Sequence, residues 1–484
     1  MMLEAVNNIL EEARLTARAL VEFSGHLFNP TLRLGVTGLA GAGKTVFMTA
    51  LLHHLLDNGR LPVFEALSSG RIVGARLKPQ PDDTIPRFDY ETHVHTLIDE
   101  RRWPESTRRV SEVRLVISYQ SVSGRSRELT LDVVDYPGEW LLDLPLLAKS
   151  YYQWSTETLL SSRRPPRATL ARSWHQHLAT LFPEGVEDEI AAITAARLFT
   201  EYLQACRDQR YAMSLLPPGR FLMPGDPEGS PALTFAPLDL PHEGPAPAGS
   251  LWALMERRFE AYKDRIVRPF FREHFARLDR QIVLVDALAA LNAGSAAMRD
   301  LEDALTAILD CFRVGRRSWW NAVVRPRIDR ILFAATKADH LHHTSHDRLE
   351  RILARMTERA VVRAKYAGAR IDVIALAAVR ATREAIVSCG QDRLPSIVGT
   401  PIAGETAGSE VFDGMTEAAI FPGDLPEDPT VVLESTDAVA VGSSDLRFLR
   451  FRPPAVMKGN GGHAHLPHIR LDRALQFVLG DLIQ

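Results

Sequence analysis

The sequence predicts an α/β fold: a mostly parallel sheet flanked by helices, interrupted by a large helical insertion. Three observations predict it. Residues 38–45 read Gly-Leu-Ala-Gly-Ala-Gly-Lys-Thr, between a short apolar strand and a helix. Residues 129–138 read Leu-Thr-Leu-Asp-Val-Val-Asp-Tyr-Pro-Gly, a strand ending in Asp-x-x-Gly. Residues 331–339 read Ile-Leu-Phe-Ala-Ala-Thr-Lys-Ala-Asp, a buried strand running into Thr-Lys-x-Asp. In this order, these are the phosphate, magnesium and base elements of a P-loop NTPase.

Along the chain, apolar residues from Leu3 to Phe23 recur at three- and four-residue steps, which predicts an amphipathic helix over residues 1–28. Its polar face mixes Glu11, Glu12 and Arg14, so packing on the main domain is expected rather than membrane contact. A strand at 32–36 and a helix at 44–56 follow. The proline-bearing stretch 60–105 reads as irregular. Strands at 112–119 and 129–135 around Ser123-Gly124 read as an antiparallel hairpin. Helical patterning returns at 157–181, 186–206 and 251–278, with a Pro/Gly-rich segment at 216–250. Strands at 282–285, 331–335 and 371–376 then alternate with helices near 296–311 and 346–366. Apolar strands that alternate with helices imply a parallel sheet covered on both faces. The Gly-, Pro- and Asp-rich last hundred residues suggest a strand at 447–452 and a closing helix at 471–483.

This reading divides the chain into an N-terminal helix (1–30), a discontinuous P-loop domain (31–140 and 279–385), a mainly helical insertion (141–278) and a C-terminal extension that packs on the core (386–484).

The motif at 38–45 places chemistry at each position. Gly38 and Gly43 permit backbone angles other residues avoid. The loop can then turn the N–H groups of Ala40, Gly41, Ala42, Gly43, Lys44, Thr45 and Val46 toward an anion at a helix N-terminus. Lys44 supplies a point charge for the β- and γ-phosphates, and the Thr45 hydroxyl a magnesium ligand. Only seven of the 57 basic residues are lysines. Two of them, Lys44 and Lys337, stand inside these motifs, where arginine would not serve.

Asp135 at a strand end is expected to hold Mg²⁺, and Gly138 to offer its N–H to the γ-phosphate. Glu139 occupies the position from which a side chain can orient the attacking water. Thr107, in the segment between the P-loop and Asp135, is the candidate for a second magnesium and γ-phosphate ligand, with Thr84 in reserve. Arg108 or Arg109 is placed to supply an arginine to the phosphates, a contribution of roughly 10³ or more in rate in GTPases.

At the third element, the Asp339 carboxylate can accept both N1–H and N2–H of guanine, donors that adenine does not present together. The Lys337 stem can lie on the ring face with its head near the ribose or P-loop. Thr336 opens the motif. Ala378, after the strand at 371–376, can present a backbone N–H to guanine O6.

Composition sets the bounds. A chain of 484 residues with 46% hydrophobic and 24% charged residues is that of a globular protein larger than one core. A net charge of −3 gives no general attraction to nucleic acid, and none is expected as a partner. Cys206, Cys311 and Cys389 match no zinc or disulfide spacing, consistent with a reducing cytoplasmic setting. No apolar run reaches the ~18 residues of a bilayer span. The histidines at 340, 342, 343 and 346, and at 463, 465 and 468, are expected at the surface. Trp319-Trp320 is expected in the core.

With these elements placed, the chain resembles the bacterial YcjX-like P-loop NTPases. The resemblance rests also on residues 103–112 (Trp-Pro-Glu-Ser-Thr-Arg-Arg-Val-Ser-Glu) and 217–222 (Pro-Pro-Gly-Arg-Phe-Leu). It extends to Val285-Asp286 with Leu291-Asn292, to residues 326–329 (Pro-Arg-Ile-Asp), and to residues 467–472 (Pro-His-Ile-Arg-Leu-Asp). It implies a GTPase-like core with a helical insertion, in a cytoplasmic protein linked to envelope or phage-shock stress. Partners that are membrane-associated or stress-response proteins, and a place at the inner-membrane periphery, follow from that association alone. Together these readings point to a slow regulatory GTPase that binds GTP and GDP with Mg²⁺. An ATPase or phosphotransferase kinase, and a nucleotide-stabilised scaffold without hydrolysis, are the alternatives.

Overall fold

Apolar runs such as 282–285 and 331–335 have no polar side to turn to water, so both of their faces must be covered. In the computed structural model this is how they sit: every residue of the strands Arg280–Val285 and Arg330–Ala335 is buried. The structure describes residues 30–39, 41–57, 59–80, 82–107, 109–225, 229–311, 328–366, 369–389, 392–434, 446, 448–456 and 464–484. The expected helix at 1–28, Ala40, Arg108, Trp319-Trp320, Pro326-Arg327 and His463 lie outside these residues.

The main sheet has seven strands: β1 (Thr31–Gly38), β2 (Ile72–Lys78), β3 (Ser111–Gln120), β4 (Ser126–Asp135), β5 (Arg280–Val285), β6 (Arg330–Ala335) and β7 (Arg370–Ala375). Their order is β2-β3-β4-β1-β5-β6-β7. Strands β4, β1, β5, β6 and β7 pair in parallel, whereas the β3–β4 hairpin and the β2–β3 pair are antiparallel. This is the α/β P-loop NTPase fold, with a mostly parallel sheet flanked by helices.

Helices α1 (Lys44–Leu56), α2 (Tyr90–Ile98) and the C-terminal Leu471–Leu479 cover one face, in a core that includes Phe47, Leu51, Leu97, Leu115 and Leu475. Helices Ser295–Cys311 and His346–Tyr366 cover the other, against Phe333. Within 141–278, which contributes no strand to the main sheet among the described residues, are α3 (Glu189–Arg207) and α4 (Leu251–Tyr262). The apolar cluster of the second face continues without a break into this insertion, through Trp154, Trp174, Trp252 and Phe259. Insertion and sheet therefore share one core on that side. Among the described residues, no helix is long and apolar enough to cross a membrane.

Two local expectations are corrected. The stretch 60–105 is not irregular: it holds β2 and α2. The edge strand β2 pairs with β3 alone, and a bulge between Ile72 and Gly74 breaks its alternation. Helix α2 is capped by Asp89, which accepts from the Thr92 N–H. In the C-terminal extension, of the expected strand at 447–452 residue 447 lies outside the described residues, and 448–452 form one bridge, Phe451 to Pro401. A small antiparallel sheet forms there instead from Arg383–Cys389, Asp392–Gly399 and Ala418–Ile420, beside a two-stranded pair, Thr406–Ala407 with Glu410–Val411.

Candidate functional site

Parallel strands bring their C-terminal ends to one edge, where the chain must leave the sheet and a crevice forms. Here those ends are Gly38, Asp135, Val285, Ala335 and Ala375, so all three motifs open at the same edge. A cavity of about 270 Å³ lies there. It is lined by Gly38, Gly41–Val46, Thr107, Gly138, Glu139, Thr336, Lys337, Asp339 and Ala378 among others.

The first motif folds as its glycines allow. Gly41 and Gly43 take φ of +77° and +74°, and the Ala42 N–H closes the turn on the Leu39 carbonyl at 3.1 Å. Gly43 stands at the N-cap of α1 and contributes no side-chain cap. The first-turn N–H groups are thus left for an anion.

Beneath this loop four predicted residues converge. The Lys44 ammonium donates to the Tyr136 carbonyl and lies 2.9 Å from Asp135 Oδ1. Thr107 donates its hydroxyl to Asp135 Oδ2 at 2.6 Å. The Thr45 hydroxyl is 3.3 Å from that of Thr107 and donates to the Glu105 carbonyl at 3.1 Å. Asp135 is fully buried, yet its Oδ1 receives no hydrogen bond among the described residues. A buried carboxylate, its Oδ1 ion-paired with Lys44, beside two hydroxyl oxygens, is the hard-oxygen donor set that suits Mg²⁺. Thr84 is elsewhere, its hydroxyl committed to Asp82 at 2.6 Å.

Gly138 follows at close quarters. A Cβ on it would stand 1.9 Å from the Gly38 carbonyl oxygen, so only glycine lets the Asp-x-x-Gly turn meet the P-loop. Glu139 is buried beside it and pairs with Arg207 at 2.8 Å. Arg207 ends α3 of the insertion and also lines the cavity. Arg109, by contrast, is exposed and outside that lining.

The segment after Gly138 is clamped by residues 217–223. Gly219 fits so closely against Glu139 that a Cβ would lie 1.9 Å from the Glu139 carbonyl oxygen. Its N–H donates to Asp143 Oδ1 at 2.6 Å, and the Tyr262 hydroxyl donates to Oδ2 at 2.6 Å. Burial pushes the Asp143 carboxyl up to about 7, against the pull of these two donors. The Arg220 guanidinium stacks 3.1 Å from the centre of the Trp140 ring, whose N–H donates to the Met223 carbonyl at 2.8 Å.

At the other end of the cavity, Asp339 is buried and one of its oxygens accepts the Ala381 N–H at 2.8 Å. Lys337 adopts the left-handed conformation, φ +61°, uncommon for a long side chain and a mark of local demand. Its ammonium pairs with Asp286, whose Oδ2 lies 3.7 Å from a Cβ built on Gly41. The lysine head therefore sits by the P-loop. The Ala378 loop is held by a two-way backbone bridge between Ala377 and Ile469, at 3.0 and 2.8 Å. Trp103 donates its indole N–H to the Phe451 carbonyl at 2.6 Å, and both line the cavity with Arg450.

The histidine expectation is corrected here. His340, His342 and His346 are buried, not at the surface. His340 lines the cavity with its ring against Phe451, centroids 5.5 Å apart. His343 is exposed and meets Glu384 at 2.7 Å, a carboxylate that Arg380 shares at 3.2 Å.

Sequence reasoning missed Arg207, Asp286, Trp103 and Phe451 as parts of this site. Spacing gives no sign of Arg207 or Phe451. Trp103 and Asp286 stood in the stretches that carried the resemblance, as did the Gly219 and Ile469 supports; Trp103 lines the cavity, and Asp286, Gly219 and Ile469 each hold a lining residue in place.

The chain matches the YcjX-like family, DUF463, over residues 32–483. It is 36% identical to "Ras-like GTPase YcjX" of Escherichia coli over 94% of this chain and 96% of that protein. It is 33% identical to the protein of the same name from Shewanella oneidensis, over 94% of this chain and 95% of that one. The matched span, residues 32–483, takes in every element around the cavity, and this protein therefore belongs to the YcjX-like family.

Proposed function

We propose that this protein is a magnesium-dependent GTPase that hydrolyses GTP to GDP and phosphate slowly and uses the nucleotide state as a regulatory signal. The observation that carries the reading is the convergence of Lys44, Thr45, Thr107 and Asp135 under one glycine loop, with the buried Asp135 carboxylate between the Lys44 ammonium and the Thr107 hydroxyl. The two relatives named Ras-like GTPase support it.

In this reading the loop N–H groups of residues 40–46 and the Lys44 ammonium hold the β- and γ-phosphates. Thr45, Thr107 and Asp135 hold Mg²⁺, which would supply charge neutralisation between the β- and γ-phosphates. Gly138 offers its N–H to the γ-phosphate, and Glu139 faces the attacking water. Thr336, Lys337, Asp339 and Ala378 recognise guanine. Loss of the γ-phosphate releases the segments around Thr107 and Gly138, and the 217–223 clamp carries the change into the insertion at 141–278. Turnover without a partner is expected at roughly 10⁻⁴–10⁻² s⁻¹. A cytoplasmic place, extending to the inner-membrane periphery, and a stress-related protein partner complete the proposal.

Titration with labelled GTP and ATP, with and without Mg²⁺, tests it. In Asp339→Asn the Ala381 N–H selects the amide oxygen, which leaves the NH₂ to face the base. GTP affinity should fall by ~10²-fold or more and xanthosine triphosphate should gain. Equal affinity for ATP and GTP, unmoved by the substitution, would defeat guanine specificity.

A further inference from the structure

The cavity lining holds two arginines that the three motifs do not explain, Arg207 and Arg450. Arg207 closes the 19-residue helix α3 of the insertion, yet its side chain reaches the cavity beside Glu139 and Gly138. Gly138 is in backbone contact with the first glycine of the P-loop. The Arg207–Glu139 pair therefore lies next to the place where a γ-phosphate bound by that loop would sit.

The helix end that presents Arg207 is firmly seated. Cys206, Leu203, Tyr202 and Phe199 are buried. Buried Arg167 donates to the Tyr202 hydroxyl at 3.1 Å and to the Leu215 carbonyl at 2.9 Å, and it pairs with Asp300 of the helix Ser295–Cys311. The backbone at Arg207 is thus tied to the main domain, while its side chain, 29% exposed, retains freedom to turn. Its present partner is a single carboxylate, a weaker attraction than a γ-phosphate that gains charge at its oxygens during transfer. The other arginine in the lining, Arg450, stands at the base end and pairs with Glu405.

The geometry points to Arg207 as the catalytic arginine, supplied by the insertion of the same chain and held by Glu139 until a triphosphate arrives; this rests on the GTPase reading above. In the step it serves, a water oxygen bonds to the γ-phosphorus as the bond from phosphorus to the β–γ bridging oxygen breaks. The electron pair of that bond stays on the GDP oxygen, and a proton of the water passes to the released phosphate. Arg207 exchanges no proton; its planar fork stabilises the charge on the moving phosphoryl oxygens. Release from Arg207 frees the Glu139 carboxylate to accept a hydrogen bond from the attacking water.

The test compares hydrolysis with binding of GDP plus aluminium fluoride and Mg²⁺, a mimic of the transferring phosphoryl group. Wild-type protein should bind the mimic without any partner. Arg207→Ala should lose it and lose ~10²-fold or more in single-turnover hydrolysis, while GDP affinity changes little. Arg207→Lys, which keeps charge but loses the fork, should recover only part. Glu139→Gln removes the competing charge and should tighten the mimic several-fold, an effect absent in the double variant. The single Glu139→Gln variant decides the matter if Arg207→Ala fails to fold: unchanged affinity for the mimic would overturn the proposal. Wild-type hydrolysis matched within ~3-fold by Arg207→Ala sinks the role of Arg207 and leaves the GTPase reading standing. No guanine nucleotide bound by wild type sinks both.

Discussion

Oδ1 of Asp135 lies 2.9 Å from the Nζ of Lys44 and accepts no hydrogen bond from any described residue. Both side chains are buried. An ammonium that hydrogen-bonds a neighbouring carbonyl while neutralising a carboxylate is ready to exchange that carboxylate for phosphate.

Lys44→Ala should therefore do two things. Nucleotide affinity should fall by ~10²-fold or more, through loss of a charge-assisted contact. The nucleotide-free protein should lose about 3 kcal/mol, because Asp135 is left buried without its counter-charge. Adding Asp135→Asn should return most of the stability and none of the binding. Urea midpoints and labelled-nucleotide titrations of the three variants measure both effects. An unchanged midpoint in Lys44→Ala would show the pair to be energetically neutral.

Asp143 predicts a pH dependence. Its carboxyl is raised from the ordinary carboxylate range to about 7 by burial. It binds its proton more tightly folded than unfolded, so its contribution is fully present below about pH 4 and is lost as pH rises through about 7. Stability relative to Asp143→Asn should then fall by about 1 kcal/mol per pH unit between pH 5 and 7, and level off above. Denaturant midpoints at pH 5, 6, 7 and 8 follow it. A constant difference across the series would mean that Asp143 is ionised throughout.

Gly138→Ala meets the Gly38 carbonyl at 1.9 Å, a backbone atom that cannot step aside as a side chain would. The Asp-x-x-Gly turn must withdraw from the P-loop, at a cost of about 1–3 kcal/mol. GDP affinity should hold, whereas the preference for a triphosphate analogue over GDP should drop by about 10-fold or more as one hydrogen bond to the γ-phosphate is lost. An analogue-to-GDP ratio equal to that of wild type would refute this contact.

Much of the site was legible because its geometry is local. Gly41 and Gly43 in left-handed turns, Lys44 and Thr45 on the first turn of a helix, and Asp135 at a strand end are each dictated by neighbours in the chain. Buried strands with no polar face announced the parallel sheet, and the parallel sheet brought the three motifs to one edge. Less legible were β2, whose alternation a bulge interrupts, and the buried histidines, whose covering residues, such as Phe451, come from far along the chain.

The sequence alone determined the fold class, the position of the glycine-rich loop and the residue types that gather around the cavity. It did so because short spacings fix backbone direction and hydrogen-bonding capacity together. Only the tertiary structure decided which arginine reaches the cavity beside Glu139, why Gly138 and Gly219 must be bare, and that Arg450 and Phe451 line the end near Asp339 while Ile469 braces the Ala377 loop. Those facts depend on contacts between distant segments, and the packing of one shared core, rather than any spacing in the chain, brings Arg207 to Glu139.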